Sequence, residues 1–270
     1  MMKELTLHDI QQVSKDILYT VDAFCEKNDI KFSLGYGALI GAVRHNDVIP
    51  WDDDIDIIMT RPEYEKFVKL FQTDVEMQAS GLKLYAPELG NAYFGISRVC
   101  DMKRTLVKKY YNWTDDDTGL WIDVFVIDAL PDDNGESLRH QNQKCFHSCG
   151  ACVPLSLSLG FKRFVKIIVK RLLYGNERER NISEYLRVIR SLPSFDCAKK
   201  VCNCSSPYRE KDIHNKKVFD EYIRVLFGSR KVSIIKHYDE YLKNIYGDYM
   251  QLPPLNKRVR GHSNSKYYWK

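Results

Sequence analysis

Four aspartates fall within five positions of Trp51-Asp52-Asp53-Asp54-Ile55-Asp56. Like charges crowded onto one short segment repel unless something cancels them. A divalent cation is the simplest candidate, and hard carboxylate oxygens favour Mg²⁺ or Mn²⁺. Such an ion neutralises phosphate and stabilises the charge that develops in phosphoryl transfer. The run Asp54-Ile55-Asp56-Ile57-Ile58-Met59 alternates and then turns apolar, which predicts a strand leaving a core. On a strand, Asp54 and Asp56 point together, Asp52 joins them at the entrance, and Asp53 faces away. The competing explanation is a solvated acidic turn. The isoleucines beside the cluster argue against it, because they predict a partly buried strand.

A further carboxylate is expected from a second strand. Trp121-Ile122-Asp123-Val124-Phe125-Val126-Ile127-Asp128 holds two. A charge inside an apolar strand needs a partner or a metal. Asp123, in the interior, is the preferred ligand or base. Asp128, before Ala129-Leu130-Pro131, is the better loop cap and the weaker site candidate. Upstream, Gly35-Tyr36-Gly37-Ala38, with Gly41, forms a glycine-rich turn leading into a helix. Glycine permits close backbone approach and a helix N-terminus attracts phosphate, so this turn is a candidate phosphate cradle; an ordinary tight turn is the alternative. Near the C-terminus, Arg258, Arg260 and His262 are candidate phosphate-binding residues, or a basic surface tail. Asp248, after the helix cap expected at Gly247, is a weaker candidate for holding an Arg or Lys of the site.

The elements that must position these residues follow from periodicity. Residues 5–27 carry apolar side chains at helical spacing. Strands are expected at 30–36, 54–59, 82–86, 93–100 and 120–127, with a short helix over 38–45. Thr60-Arg61-Pro62-Glu63 reads as a capping box opening a helix to about Gln72. Beyond residue 130 the expected elements are helices, about 137–150, 161–173, 182–192 and 235–246. The predicted class is α+β: a catalytic core over residues 1–135, then a mostly helical half, 136–270, that packs on it and completes the site.

Composition excludes several classes. The chain has 270 residues and a net charge of +5, too mild to argue for nucleic acid. The charge is unevenly spread. Residues 47–65 set seven carboxylates against Arg61 alone, whereas residues 161–190 carry nine Lys or Arg against three Glu. No secretory leader and no membrane span is read, so a cytoplasmic chain is expected. Residues 161–173 form a basic amphipathic pattern, either a core-packed helix or a peripheral contact with the inner face of the plasma membrane. The eight cysteines fall partly into two groups, Cys145, Cys149 and Cys152 with His147, and Cys197, Cys202 and Cys204. Their spacing matches no strong zinc pattern, and free or buried thiols are the preferred reading.

Gly35-Tyr36-Gly37-Ala38-Leu39-Ile40-Gly41-Ala42-Val43-Arg44-His45, continuing through Ile49-Pro50-Trp51-Asp52-Asp53-Asp54-Ile55-Asp56-Ile57, resembles the signature of the LicD family. Ile122-Asp123-Val124-Phe125 is similar to its second acidic strand. Tyr246-Gly247-Asp248-Tyr249-Met250 with Leu252-Pro253-Pro254 is similar to its C-terminal motif, followed by Arg258 and His262. The resemblance implies a nucleotidyltransferase-like mixed sheet flanked by helices, and Mg²⁺-dependent transfer of a phospho-alcohol from a CDP-linked donor. The acceptor it implies is a sugar of a surface or lipid-linked glycan. Asp52, Asp54, Asp56 and Asp123 become the metal-binding and catalytic carboxylates, Gly37 part of the phosphate turn, and Arg44 a donor-phosphate or structural contact. Ala38 stands where many relatives carry Thr or Ser, so a hydroxyl contact is lost or replaced by backbone. Two other functions compete: a D-x-D glycosyltransferase using a sugar nucleotide, and a non-catalytic member of a glycan assembly complex.

Overall fold

A computed structural model describes residues 2–92, 95–109, 118–149, 177–261 and 265–270, together with Val165, Ile168, Val169 and Leu172. The first helix, α1 (Leu7–Lys27), starts where Thr6 and Asp9 cap each other reciprocally. Its Ile10, Val13, Ile17, Leu18, Val21 and Phe24 are buried, as the spacing requires. Next come β1 (Ser33–Leu34), α2 (Tyr36–His45), β2 (Asp56–Thr60) and α3 (Arg61–Phe71), then α4 (Val75–Ser80), β3 (Leu82–Tyr85), β4 (Ser97–Asp101), β5 (Thr105–Lys109) and β6 (Trp121–Ala129). Glu136–Cys149 form α5 and Glu177–Arg190 form α6. Strands β7 (Lys200–Cys202), β8 (Ile213–Asn215), β9 (Tyr222–Phe227) and β10 (Arg230–Ile235) precede α7 (Tyr238–Tyr246) and β11 (Ser265–Trp269).

The main sheet runs β1-β2-β6-β4-β3, with β7 and β8 continuing it from the end of β6. β2 and β6 are parallel and the other pairs antiparallel, so the class is α+β. The nearly unbroken apolar run of β6 fits its central place between β2 and β4. One buried apolar cluster joins α1, the sheet and α3 to Phe219, Ile234, Tyr241 and Tyr267 from later in the chain. A smaller one gathers Leu138, Ile182, Tyr185, Cys202 and Cys204.

Three expectations need correction. The strand at the acidic cluster begins only at Asp56; residues 52–55 have no regular structure. Thr60 does precede α3, but its side chain makes no capping bond, and Glu63 instead accepts from the Lys31 amide at 3.0 Å. Among its described residues the later half also holds five strands besides its helices. β7 and β11 gain their edges from β6 and β5, far earlier in the chain, and β8 adds to β7; the two long-range pairings are not encoded in local periodicity. Of residues 161–173 only four are described; Val165, Val169 and Leu172 among them are exposed. Among the described residues no helix is long and apolar enough to cross a membrane.

Candidate active site

The acidic segment is held from three sides. Gln11 of α1 donates to the Asp52 carbonyl at 2.8 Å and the Ile49 carbonyl at 3.3 Å. The Gly35 amide donates to the Asp56 carbonyl at 2.9 Å, and the Asp123 amide to that of Ile55 at 3.1 Å. Parallel pairing then sets Asp56 directly beside Asp123. Side chains at paired positions project to the same face of a sheet. Two carboxylates from sequence-distant strands therefore share one face.

In front of them, Asp52, Asp53 and Asp54 each present an oxygen, and the three oxygens lie within 4.8 Å of one another. Asp53 thus belongs to the group rather than facing away from it. Alternation fails here because the segment is a loop. Asp53 is buried and pairs with Arg260, so its role includes anchoring the C-terminal segment. Asp56 is half-buried. Burial first, then the charges of Asp54, Asp123 and Asp52, push its carboxyl well above the usual carboxylate range; Arg98 acts the other way. The repulsion among these carboxylates is what a bound cation would relieve. The donor set is all oxygen, which fits Mg²⁺ or Mn²⁺.

The glycine turn is built against this group. A β-carbon at Gly37 would lie 2.9 Å from Asp52 Oδ2, and one at Gly35 would lie 2.7 Å from Ile58 Cγ2. Tyr36 between them has φ 46°, a left-handed conformation uncommon for a bulky residue. It is held there by its hydroxyl, which donates to Asp212 Oδ2 at 2.6 Å and accepts from Asn203 at 2.7 Å. His214 in turn sits 3.0 Å from the other Asp212 oxygen. Ala38 is buried, so only its backbone can serve the turn. Gly41 admits the Asp47 carbonyl, which a β-carbon would meet at 2.6 Å.

The remaining candidates divide. Arg44 donates to the Tyr249 and Gln251 carbonyls at 2.7 and 3.3 Å, tying the segment after α7 to α2. Burial, then the nearby Arg258 charge, lowers its pKa. Arg258 donates to the Pro253 carbonyl at 2.8 Å and lies 5.3 Å from the Trp51 ring. Arg258 therefore stands beside the residue that opens the acidic segment, with Arg44 close enough to feel its charge. Asp248 is exposed in the turn after α7 and is not drawn into the carboxylate group of Asp52, Asp53 and Asp54. Asp128 lies five residues along β6 from Asp123, about 16 Å away at strand rise. There Arg61 grips both its oxygens, at 2.7 and 2.9 Å. His262 lies outside the described residues. So do Cys152 and the side chains of Cys145, His147 and Cys149, while Cys202 and Cys204 bring their sulfurs to 3.2 Å, buried, and Cys197 is exposed.

Sequence reasoning missed Arg98. It is paired across the sheet from Asp123 and donates to Asp123 Oδ1 at 2.6 Å, with its guanidinium 4.3 Å from the Trp121 ring. A basic residue inside the strand expected at 93–100 was the available signal, but its partner depends on register between β4 and β6. Gln11, on a helix face otherwise unremarked, carried no signal.

Comparison with known proteins agrees with this geometry. A family model described as LicD/FKTN/FKRP, nucleotidyltransferase domain, matches residues 29–127, which span the glycine turn, the acidic segment and Asp123. The lipopolysaccharide cholinephosphotransferase LicD of Haemophilus influenzae is 28% identical over 276 aligned positions, covering 98% of this chain and 99% of that one. Uncharacterized proteins of Rickettsia prowazekii and Rickettsia typhi are each 40% identical over 55 residues, 20% of this chain and 18% and 16% of theirs. The signature residues are gathered in one place, the LicD family model covers the segment that holds them, and a LicD relative aligns along nearly the whole chain, so the chain is similar to the LicD family.

Proposed function

We propose that the protein is a metal-dependent phosphotransferase that moves a phospho-alcohol from a CDP-linked donor to a sugar of a surface glycan. The observation that carries this reading is the register of β2 and β6, which sets Asp56 beside Asp123 behind the Asp52–Asp54 group. The relative named as a lipopolysaccharide cholinephosphotransferase supports phosphocholine as the transferred group and a lipopolysaccharide sugar as the acceptor.

When bound, Mg²⁺ or Mn²⁺ supplies charge neutralisation at the donor diphosphate. Asp52, Asp54 and Asp56 are the residues to hold it, and Asp123 completes the set or takes the proton of the acceptor hydroxyl. Arg98 fixes the orientation of Asp123 through its 2.6 Å hydrogen bond. The first-turn amides of α2 are the anion-attracting end of that helix, and Gly37 lets them approach Asp52. Arg258, beside Trp51, and Arg44, near Arg258, supply guanidinium groups for donor phosphate. In-line attack by the sugar hydroxyl breaks the bond between the donor phosphorus and the CMP oxygen; the phospho-alcohol moves to the sugar and CMP leaves.

A thermal-shift series with CTP, CDP-choline, CDP-ribitol and CDP-glycerol, each with and without Mg²⁺, tests the reading. The expected result is stabilisation by cytidine nucleotides that depends on the metal. Stabilisation by UDP- or GDP-sugars instead would move the assignment to a glycosyltransferase. No response to any nucleotide would favour a non-catalytic role.

A further inference from the structure

The glycine turn carries its positive φ on a tyrosine. Gly35 is extended, with φ −119°, while Tyr36 takes φ 46°. A glycine would adopt that conformation without cost, whereas a bulky L-residue relaxes out of it unless the surroundings hold it. The ring alone does not need a hydroxyl. It packs among Phe125, Tyr208 and Tyr241, where phenylalanine would fit as well.

The hydroxyl is met by a polar group built deep in the protein. It donates to Asp212 and accepts from Asn203, and both partners are buried. Each partner is itself fixed. The Asn203 side-chain oxygen accepts from the Ser205 amide at 2.9 Å, which turns its NH₂ toward Tyr36. The second Asp212 oxygen lies 3.0 Å from His214 Nε2, and the His214 ring stacks on Tyr241 at 4.6 Å and 29°. Asn203 directly follows β7 and Asp212 directly precedes β8, and those strands pair with each other. β7 also pairs with β6, so the sheet anchors both ends of the connection. A fully buried carboxylate is a poor way to gain stability when apolar residues could fill the space. What it can supply here is a fixed position for one hydroxyl.

That hydroxyl sits where a backbone rotation matters. Gly35 has no side chain to cap α2, and Gly37 lies against Asp52. If Tyr36 relaxed to negative φ, the Gly37 and Ala38 amides of the first helical turn would swing away from the acidic segment. We propose that Asn203 and Asp212 are positioning residues for donor phosphate: through the Tyr36 hydroxyl they hold the turn so that the first amides of α2 face the diphosphate. This rests on the phosphotransferase reading above and gives the connection between β7 and β8 a part in donor binding.

The test is calorimetric binding of CDP, and of inorganic pyrophosphate, to the full chain in Mn²⁺. Wild type, Tyr36→Phe, Asp212→Leu and the double variant are compared, with the affinity for Mn²⁺ alone measured on each. Tyr36→Phe should weaken CDP and pyrophosphate by the same factor, about tenfold, and keep Mn²⁺ affinity within about threefold. With CDP-choline as substrate its KM should rise about tenfold while kcat stays within about threefold. The double variant should bind CDP no more weakly than Asp212→Leu alone, because the two residues act through one bond. Unchanged affinities in folded Tyr36→Phe, a loss for CDP that pyrophosphate does not share, or an equal loss for Mn²⁺ alone would each overturn the proposal while wild-type CDP binding leaves the phosphotransferase reading intact. If wild type binds neither CDP nor pyrophosphate, that reading fails and the positioning role fails with it. Tyr36→Phe, which keeps the ring, decides the matter even where Asp212→Leu does not fold.

Discussion

Strand β6 carries two buried aspartates, and they have opposite fates. At its far end Asp128 is held by Arg61 through both oxygens, with neither residue more than slightly exposed. At its near end Asp123 accepts a hydrogen bond from Arg98 and lies in register with a second carboxylate, Asp56. The same residue type in the same strand is structural where a guanidinium closes around it. It becomes chemically useful where another acid stands beside it. Burial alone does not distinguish the two; the neighbour on the next strand does.

That contrast can be broken by experiment. The largest effect is expected from Asp56→Asn, which should lower transfer from CDP-choline by at least about a hundredfold, measured as CMP release, with the chain still folded by circular dichroism. Asp128→Asn should do the reverse. Leaving the buried Arg61 with its longer contact to Glu88, at 3.3 Å, in place of the paired carboxylate should cost about 3 kcal/mol of stability in a denaturant titration, with the activity of the folded fraction kept within about threefold.

Smaller effects sharpen the picture of the acidic end. Gly37→Ala puts a methyl where Asp52 Oδ2 now lies. Because a side-chain oxygen can shift, the protein should fold, but Mn²⁺ affinity by calorimetry should fall by about tenfold. The pH dependence should be the subtlest signal. The Asp56 carboxyl is raised in the folded chain, so its contribution is fully present below the unfolded carboxylate pKa and is lost as pH rises through the folded value. In EDTA the melting temperature should therefore fall as pH increases beyond the ordinary carboxylate range. Asp56→Asn should flatten that slope, and Mg²⁺ should cancel it in the wild type.

The contrast between the two aspartates also marks how far the sequence could be read. Some local signals held: the apolar face of α1, the glycine turn and the acidic cluster are written in neighbouring residues, whereas the equally local Thr60–Glu63 capping box did not form. What depends on strand register was not legible. Arg98 is a plain basic residue until β4 is laid against β6. Asp53 was assigned the wrong side because alternation was applied to residues that form a loop. Tyr36 offered a ring at a turn, whereas its hydroxyl partner Asp212 lies 176 residues away. Glu63 looked like a capping partner for Thr60 but serves the Lys31 amide on a different element.

The most direct test of the central claim is phosphorus NMR of CDP-choline turnover with a lipopolysaccharide acceptor and Mg²⁺, run side by side on wild type, Asp56→Asn, Asp123→Asn and Asp128→Asn. The account predicts metal-dependent release of CMP with a new phosphodiester signal in wild type and Asp128→Asn, and neither product in the other two. Equal turnover by folded Asp56→Asn, or turnover undiminished by EDTA, would contradict it.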